Sequence, residues 1–509
     1  MRKRTLIFFA ICLMIILAMQ PTASAGVLIG KGGTSGGGSP GTWYVGATPP
    51  NLDYTKPVLV FVHGKGGWSG SWWEPTVYHG TNDMYAYAYN NGYRTAFVDL
   101  YPEASMWTNG QLLNRQLNEI TAYFGVPKVI LVAHSKGGVD ANAASVHYGA
   151  SGKISRVITL GSPHGGSPLA DLAYSTWTWW LGELLGQRND ATYVLQTGYM
   201  AYFRSVTDGR DAGVPYYTLS GDKCGPLFSA LWMGCAAIWG EDDGLVPVWS
   251  ARKPGGIHVR EGAWDHDEIR MGSRVWPYVS PLMQTAATEP PAAAMTGSMP
   301  GTPGNLILRG GTTSEHGTAS FPVESGVRGA AFTFLASSPS FAANLVGPDG
   351  SIHKVSMTGQ VPAGDFFGGA HIGTVTVKNP AAGTWKLNAS ADAETGYAML
   401  AELDTDLQAV LDLSQPVATP GGKQSLQVSF RGRAPAVSRA EAAIAKAGQR
   451  PMISKAGGVL QAQWDLPEGN TIHNVTVTVT GTLPDGTAFE RTLVTSYAAV
   501  APADRGMWR

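Results

Sequence analysis

The hexapeptide Ala133-His134-Ser135-Lys136-Gly137-Gly138 sets a serine between small residues two positions before it and two after it. A serine hydroxyl acts as a nucleophile when it projects from a sharp, strained turn between a strand and a helix, with little side-chain bulk around it. Ala133 occupies the first place of the G-x-S-x-G pattern and keeps it small. Residues 129–132 (VILV) are a short apolar run with the composition of a buried strand, and 139–148 read as a helix. The context is therefore strand, tight turn, helix. A chance small-residue turn has no reason to come with both flanks.

A nucleophilic serine needs a base, and the base needs a carboxylate to orient it. In sheets of this kind the chain order is serine, acid, histidine. Glu241-Asp242-Asp243-Gly244 supplies the acid, and Asp242 and Asp243 both remain open from the residues alone. Trp264-Asp265-His266-Asp267-Glu268 puts His266 in a late loop. His164 comes before any candidate carboxylate and His258 falls within a strand-like run, so His266 is the expected base. His63, His79, His134 and His147 read as structural. His63-Gly64 closes the first apolar run, and the backbone N–H groups of Lys65 and Lys136 are the expected oxyanion donors. The Gly64-Lys65-Gly66-Gly67 stretch matches neither phosphate-loop pattern. Acyl transfer on these groups requires no cofactor, and no metal is assigned.

These residues must be held by a scaffold. Residues 58–62, 94–98, 129–132, 157–160 and 216–219 read as strands, and 111–124 as a helix, an alternation that predicts a doubly wound, mostly parallel α/β sheet. After residue 286 the texture changes to short alternating runs between Gly and Pro turns, which predicts one or two all-β, sandwich-like domains. The expected division is 1–25 export signal, 26–57 Gly-rich and loosely held lead-in, 58–286 catalytic domain, 287–304 linker, 305–413 β-sandwich, 414–500 second β-rich domain and 501–509 tail. The Ala-rich stretch 438–447 reads as a helical island.

Composition narrows the partners. The chain has 509 residues, 44% hydrophobic and 14% charged, with 36 basic against 37 acidic side chains and a formal net charge of −1. That balance gives no basis for binding nucleic acid. Arg2, Lys3 and Arg4 precede an apolar run and Ala23-Ser24-Ala25, the pattern of a cleaved export signal, and no later segment reads as transmembrane. An extracellular location then favours a disulfide between Cys224 and Cys235, the cysteines left after cleavage.

The segments VFVHGKGG, LVAHSKGG, VITLGSPHGGSPLADLA, DDGLVPVWSAR and WDHDEI together resemble secreted bacterial lipases and esterases of the α/β-hydrolase superfamily, the Gram-positive kind with alanine at the first elbow position. Extracellular polyester depolymerases share the same elbow. The resemblance spans 57–272. It implies a serine ester hydrolase with Ser135 as nucleophile, Asp243 as acid and His266 as base, acting on a lipid ester or, second, an aliphatic polyester. It also raises a calcium site near Glu268, which the shortened spacing after His266 argues against. Trp177, Trp180 and Leu181, in a dense aromatic–aliphatic stretch, are the candidate substrate-binding residues, as lid or wall. The rival reading is a secreted binding protein with an inert hydrolase domain.

Overall fold

The computed structural model describes residues 29–31, 38–284 and 302–506, apart from positions 187, 212, 239, 315, 446–447 and 457–458. The export signal and nearly all of the expected linker lie outside the described residues.

Eight strands form the first sheet: β1 (Ile29–Lys31), β2 (Trp43–Val45), β3 (Leu59–Val62), β4 (Thr95–Val98), β5 (Val129–His134), β6 (Ile154–Leu160), β7 (Tyr216–Gly221) and β8 (Ile257–Gly262). Their order is β1-β2-β4-β3-β5-β6-β7-β8, antiparallel at β1 and β2 and parallel from β4 onward. The inner strands are apolar on both faces because helices cover both. Val60, Val62, Leu131 and Ala133 join a core on one side, while Leu59, Phe61, Ile130 and Val132 join the core on the other.

The helices that matter for the site are α1 (Met84–Asn90), α2 (Met106–Phe124), α3 (Lys136–His147), α4 (Pro168–Ala173), α5 (Trp179–Leu184), α6 (Asp190–Val194), α7 (Thr197–Thr207) and α8 (Ala230–Ala237). Helix α2 starts before the 111–124 expectation, at a cap where Ser105 Oγ accepts the Thr108 N–H, and ends at Gly125 in the left-handed region (φ 63°). Gly110 lets α2 meet α3 closely, since a Cβ there would stand 2.9 Å from Ala143.

The structure departs from the sequence reading in two places. The lead-in is not loose throughout: Trp43–Val45 is a strand in the main sheet, paired with β4, and Trp43 is buried. The described part of the stretch 438–447 is not helical. Ala436–Ile444 is a strand paired antiparallel with Thr471–Thr482, with Ala442 and Ile444 buried opposite Val477 and Val475. Alanine's helix propensity is a few tenths of a kcal/mol per residue, and a full strand of cross-strand pairing overrides it.

Beyond residue 302 the chain forms four further sheets in two packed pairs. The first pair, built from strands between Leu306 and Asp404, closes on Phe321, Phe332, Phe334 and Trp385. The second closes on Val428, Val477, Phe489 and Tyr497. Its five-stranded sheet takes in Thr302–Gly304 at one edge, next to Gln408–Leu413. The first sandwich is thus an insertion between strands of the second. The fully buried Arg491–Glu324 ion pair ties the two together.

The β half is packed against the catalytic half. A single apolar core contains Leu169, Met200, Phe203 and Leu231 from one and Leu335, Phe366, Ile372, Leu400, Ile472 and Ala498 from the other. Cys224 and Cys235 are joined by a disulfide. Among the described residues, no helix is long and apolar enough to cross a membrane.

Candidate active site

The candidate residues gather at the carboxyl ends of the parallel strands, where open α/β sheets present their ligand sites. Ser135 directly follows β5 and directly precedes α3, with φ 52° and ψ −133°, in a region that non-glycine residues rarely adopt. This turn holds because the Ser135 N–H donates to Leu160 O at 2.9 Å. Small neighbours make it possible: a Cβ on Gly137 would lie 2.4 Å from His63 O, and one on Gly138 2.2 Å from Ser162 Oγ. Backbone strain of this kind costs on the order of 1–3 kcal/mol and persists where surrounding contacts over-determine it.

His266 follows β8. Its Nδ1 is 2.8 Å from Asp243 Oδ2, and its N–H donates to the Asp243 carbonyl at 2.8 Å. Asp243 is fully buried, and its other oxygen accepts the N–H groups of Leu245 (3.1 Å) and Val246 (2.8 Å). Asp242, its rival in the sequence, turns elsewhere and accepts the Gly244 N–H at 2.7 Å. Burial opposes charge on the His266 ring, but the Asp243 carboxylate and its hydrogen bond outweigh that and raise the ring above its ordinary pKa. With Nδ1 committed to Asp243, Nε2 is the ring's basic nitrogen.

Ser135 and His266 line one cavity of about 210 Å³. Gly64 and Lys65, in the loop after β3, lie beside the nucleophile: a Cβ on Gly64 would stand 2.7 Å from Ser135 Cβ. Lys136 opens α3, and its side chain turns away to a buried ion pair with Asp140 at 2.6 Å. His63 is held neutral. Burial pushes its pKa down to about 4, and its Nε2 accepts the Leu100 N–H at 2.9 Å. His134 Nε2 lies 2.9 Å from His266 O, which braces the loop that carries His266. His164 and His258 contact Thr159 and Thr218 instead and do not line the cavity.

Gly161, at the end of β6, has φ +59°, and a Cβ there would lie 2.8 Å from Asp243 Oδ2 and 3.4 Å from His266 Nδ1. Gly161→Ala is therefore expected to displace the carboxylate and lower kcat by about a hundredfold. Steady-state ester kinetics on a variant with unchanged circular dichroism checks this, and an unaltered kcat would contradict it.

The cavity walls are Trp68, Tyr78, Leu195, Leu231, Leu245 and Val246, with Glu74, Asp267 and Arg270 as polar members. The aromatic stretch singled out in the sequence is not part of this wall. Leu181 is buried in the shared core, and Trp177 packs against that core. The side chain of Trp180 lies outside what the structure describes. Missing from the sequence reading altogether are Pro362, Gly364, Asp365 and Phe366, which complete the cavity from the β half. Here the two halves touch backbone to backbone: a Cβ on Gly66 would fall 2.1 Å from Gly364 Cα, and Lys65 Nζ donates to Gly364 O at 3.0 Å.

His79, Asp265 and Glu268 bring three potential metal-ligand atoms within 4.8 Å of one another. Glu268, however, already receives Lys223 at 2.7 Å and Arg274 at 3.1 Å, and His79 Nε2 meets Asp265 at 2.5 Å. The fit to a divalent cation is poor, because Glu268, one of the three, already carries two cationic partners.

Residues 74–177 match the model of a family described as a PGAP1-like alpha/beta domain. No curated protein matches the chain. Among solved structures, it is similar to the Bacillus licheniformis lipase BlEst2 in propeptide form, at 32% identity over 90% of this chain and 97% of that one, with a TM-score of 0.72. The same lipase in mature form matches 48% of this chain and 100% of its own at 45% identity, with a TM-score of 0.45.

Proposed function

The chain belongs to the family of the Bacillus licheniformis lipase BlEst2, and from that premise we propose that it is a secreted carboxylic-ester hydrolase working through an acyl-enzyme on Ser135. The observation that carries this reading is the His266–Asp243 contact at 2.8 Å, in the cavity that also holds the strained Ser135 turn.

In the proposed reaction Ser135 Oγ forms a bond to the ester carbonyl carbon while its proton passes to His266 Nε2. Asp243 holds the ring in the tautomer with Nδ1–H and balances the imidazolium. Negative charge on the carbonyl oxygen falls to the Lys65 and Lys136 N–H groups, each such donor being worth about 3–4 kcal/mol in the transition state. Collapse breaks the carbon–alkoxide bond, and the leaving alcohol takes the proton from His266. Water then gives a proton to the same nitrogen as it attacks the acyl-enzyme, and release of the acid restores Ser135. The Leu195, Leu231, Leu245 and Val246 wall favours an apolar acyl group, so a lipid ester is the proposed substrate.

The relative of known structure was solved in a propeptide form that matches most of this chain. We assign the analogous role to the β half here. Pro362, Gly364, Asp365 and Phe366 wall the cavity, and in this reading they move away when a lipid enters.

A mass-tagged fluorophosphonate tests the chemistry. One label per chain is expected on Ser135, slowed by on the order of 10⁴-fold in His266→Ala. A label on any other residue, or equal rates in the two proteins, would sink the proposal.

A further inference from the structure

The seam between the halves holds several carboxyl groups, and two of them, Asp171 and Asp242, are buried with no cation among the described residues facing them. Asp171, on α4, is 1% exposed. Its Oδ1 accepts from the Thr197 N–H at 3.0 Å and the Ser496 hydroxyl at 2.6 Å, and its Oδ2 from the Thr197 hydroxyl at 2.5 Å. Ser496 belongs to the β half, and so does Asn474, whose amide donates to the Asp171 backbone carbonyl at 2.7 Å. The donors to this carboxyl group are thus hydroxyls and one amide.

A second acid, Asp242, is 4% exposed. The charges facing it are acidic: its neighbour Asp243, and Glu402 from the β-half strand Thr395–Asp404, which packs on α8. Glu402 in turn faces Asp404. Asp365, within the cavity, faces Asp267 on one side and His266, Lys65 and Arg270 on the other. Of these, the Lys65 ammonium also meets Glu103 at 3.0 Å and Gly364 O at 3.0 Å.

We propose that the β half is a pH-operated cover: it seats on the catalytic half with these carboxyl groups protonated and lifts off the cavity as they ionise. The proposal rests on the reading that the β half occludes a hydrolytic site. Ionising a carboxyl group inside the seam forfeits its hydration, whereas on the separated halves water supplies it. Burial, first among the causes, pushes Asp365 up to about 6, Asp171 and Glu402 up to about 7, and Asp242 up to about 8. All are raised above the ordinary carboxylate value, so the sign is fixed. Seating is at full strength below about pH 4 and weakens as pH climbs through 6 to 8, by up to about tenfold per pH unit for each group that loses its proton on opening. Asparagine and glutamine resemble the protonated acids in shape and neutrality, and should hold the cover down at every pH.

Amide hydrogen exchange on the full-length protein, corrected for the intrinsic rate at each pH, measures the seam directly. The peptides to follow cover 197–207 and 361–370, with 129–134 in the central sheet as internal reference. Wild-type seam protection is expected to fall by about tenfold or more between about pH 5.5 and about pH 8.5. In the triple variant Asp171→Asn, Glu402→Gln, Asp365→Asn, which keeps Asp242, the fall should be at least about tenfold smaller than in the wild type over the same range. No loss in the wild type, or an equal loss in the variant, overturns the proposal. Should the triple variant fail to fold, Glu402→Gln alone must still show a shallower loss than the wild type, and an equal slope there overturns it too. Fluorophosphonate labelling of the same samples keeps the two readings apart. Protection that follows the prediction with no label on Ser135 at any pH would remove the hydrolase and leave the latch. Labelling with pH-independent protection would do the reverse.

Discussion

Replacing Ser135 by alanine is expected to lower the kcat for a soluble short-chain ester by about a million-fold, leaving only the small rate that binding and the oxyanion donors supply. The effect is this large because the serine, histidine and acid act as a unit. Without Oγ, His266 has no nucleophile to deprotonate, and its pairing with Asp243 at 2.8 Å serves no bond-forming step. Stability should hardly move. Ser135 sits at φ 52°, and alanine keeps the Cβ that makes this backbone costly while removing only a hydroxyl, so it opens no cavity of consequence. The diagnostic result is therefore loss of turnover at an essentially unchanged melting temperature. Turnover in the variant within tenfold of the wild type would remove Ser135 from the chemistry.

The second large effect runs in the opposite direction. Phe366→Ala in the full-length protein is expected to raise turnover of the same soluble ester by up to about a hundredfold. Phe366 is 5% exposed, and it packs in the core shared by the two halves while closing the cavity over Ser135. Truncating a buried phenylalanine costs about 3–5 kcal/mol, and here the cost falls on seating the cover. A shift of about 3 kcal/mol multiplies the open fraction by about a hundred until the open form dominates. Ser135→Ala in the Phe366→Ala background must abolish the gain. A well-folded Phe366→Ala protein no more active than the wild type would mean that the contact does not limit access.

Much of the catalytic half was readable because its signals are local. Two-sided apolar runs mark β3 and β5, and the small residues around Ser135 mark the turn. The order of serine, acid and histidine needs no knowledge of distance along the chain. From the residues alone Asp242 and Asp243 stayed level and the resemblance alone favoured Asp243, since both lie on one tight turn and only its geometry aims one of them at His266. Trp43–Val45 was hidden by Gly-rich flanks although it is a sheet strand. Ala436–Ile444 was misread because alanine content speaks for a helix, while the deciding pairs with Thr471–Thr482 lie some thirty or forty residues further on. The cavity wall shows the same limit in its strongest form. Trp177 and Leu181 have the composition of a lipid-binding wall, yet they are packed in or against the shared core. Asp365 and Phe366 line the cavity from a position far along the chain, with nothing in their neighbourhood to announce it.

The edge strand Thr302–Gly304 sits in the sheet of the later sandwich, although the earlier one follows it in the chain. Over the described residues, the polypeptide therefore passes from the hydrolase half into the β half a single time. One scission between residues 284 and 302 detaches both sandwiches together, each keeping all its strands, whereas a scission between Asp404 and Gln408 would leave the two interlocked. A protease needs a single productive encounter to divide the molecule into two intact pieces, and a truncation beginning at residue 305 would shear away a strand that the later sandwich uses.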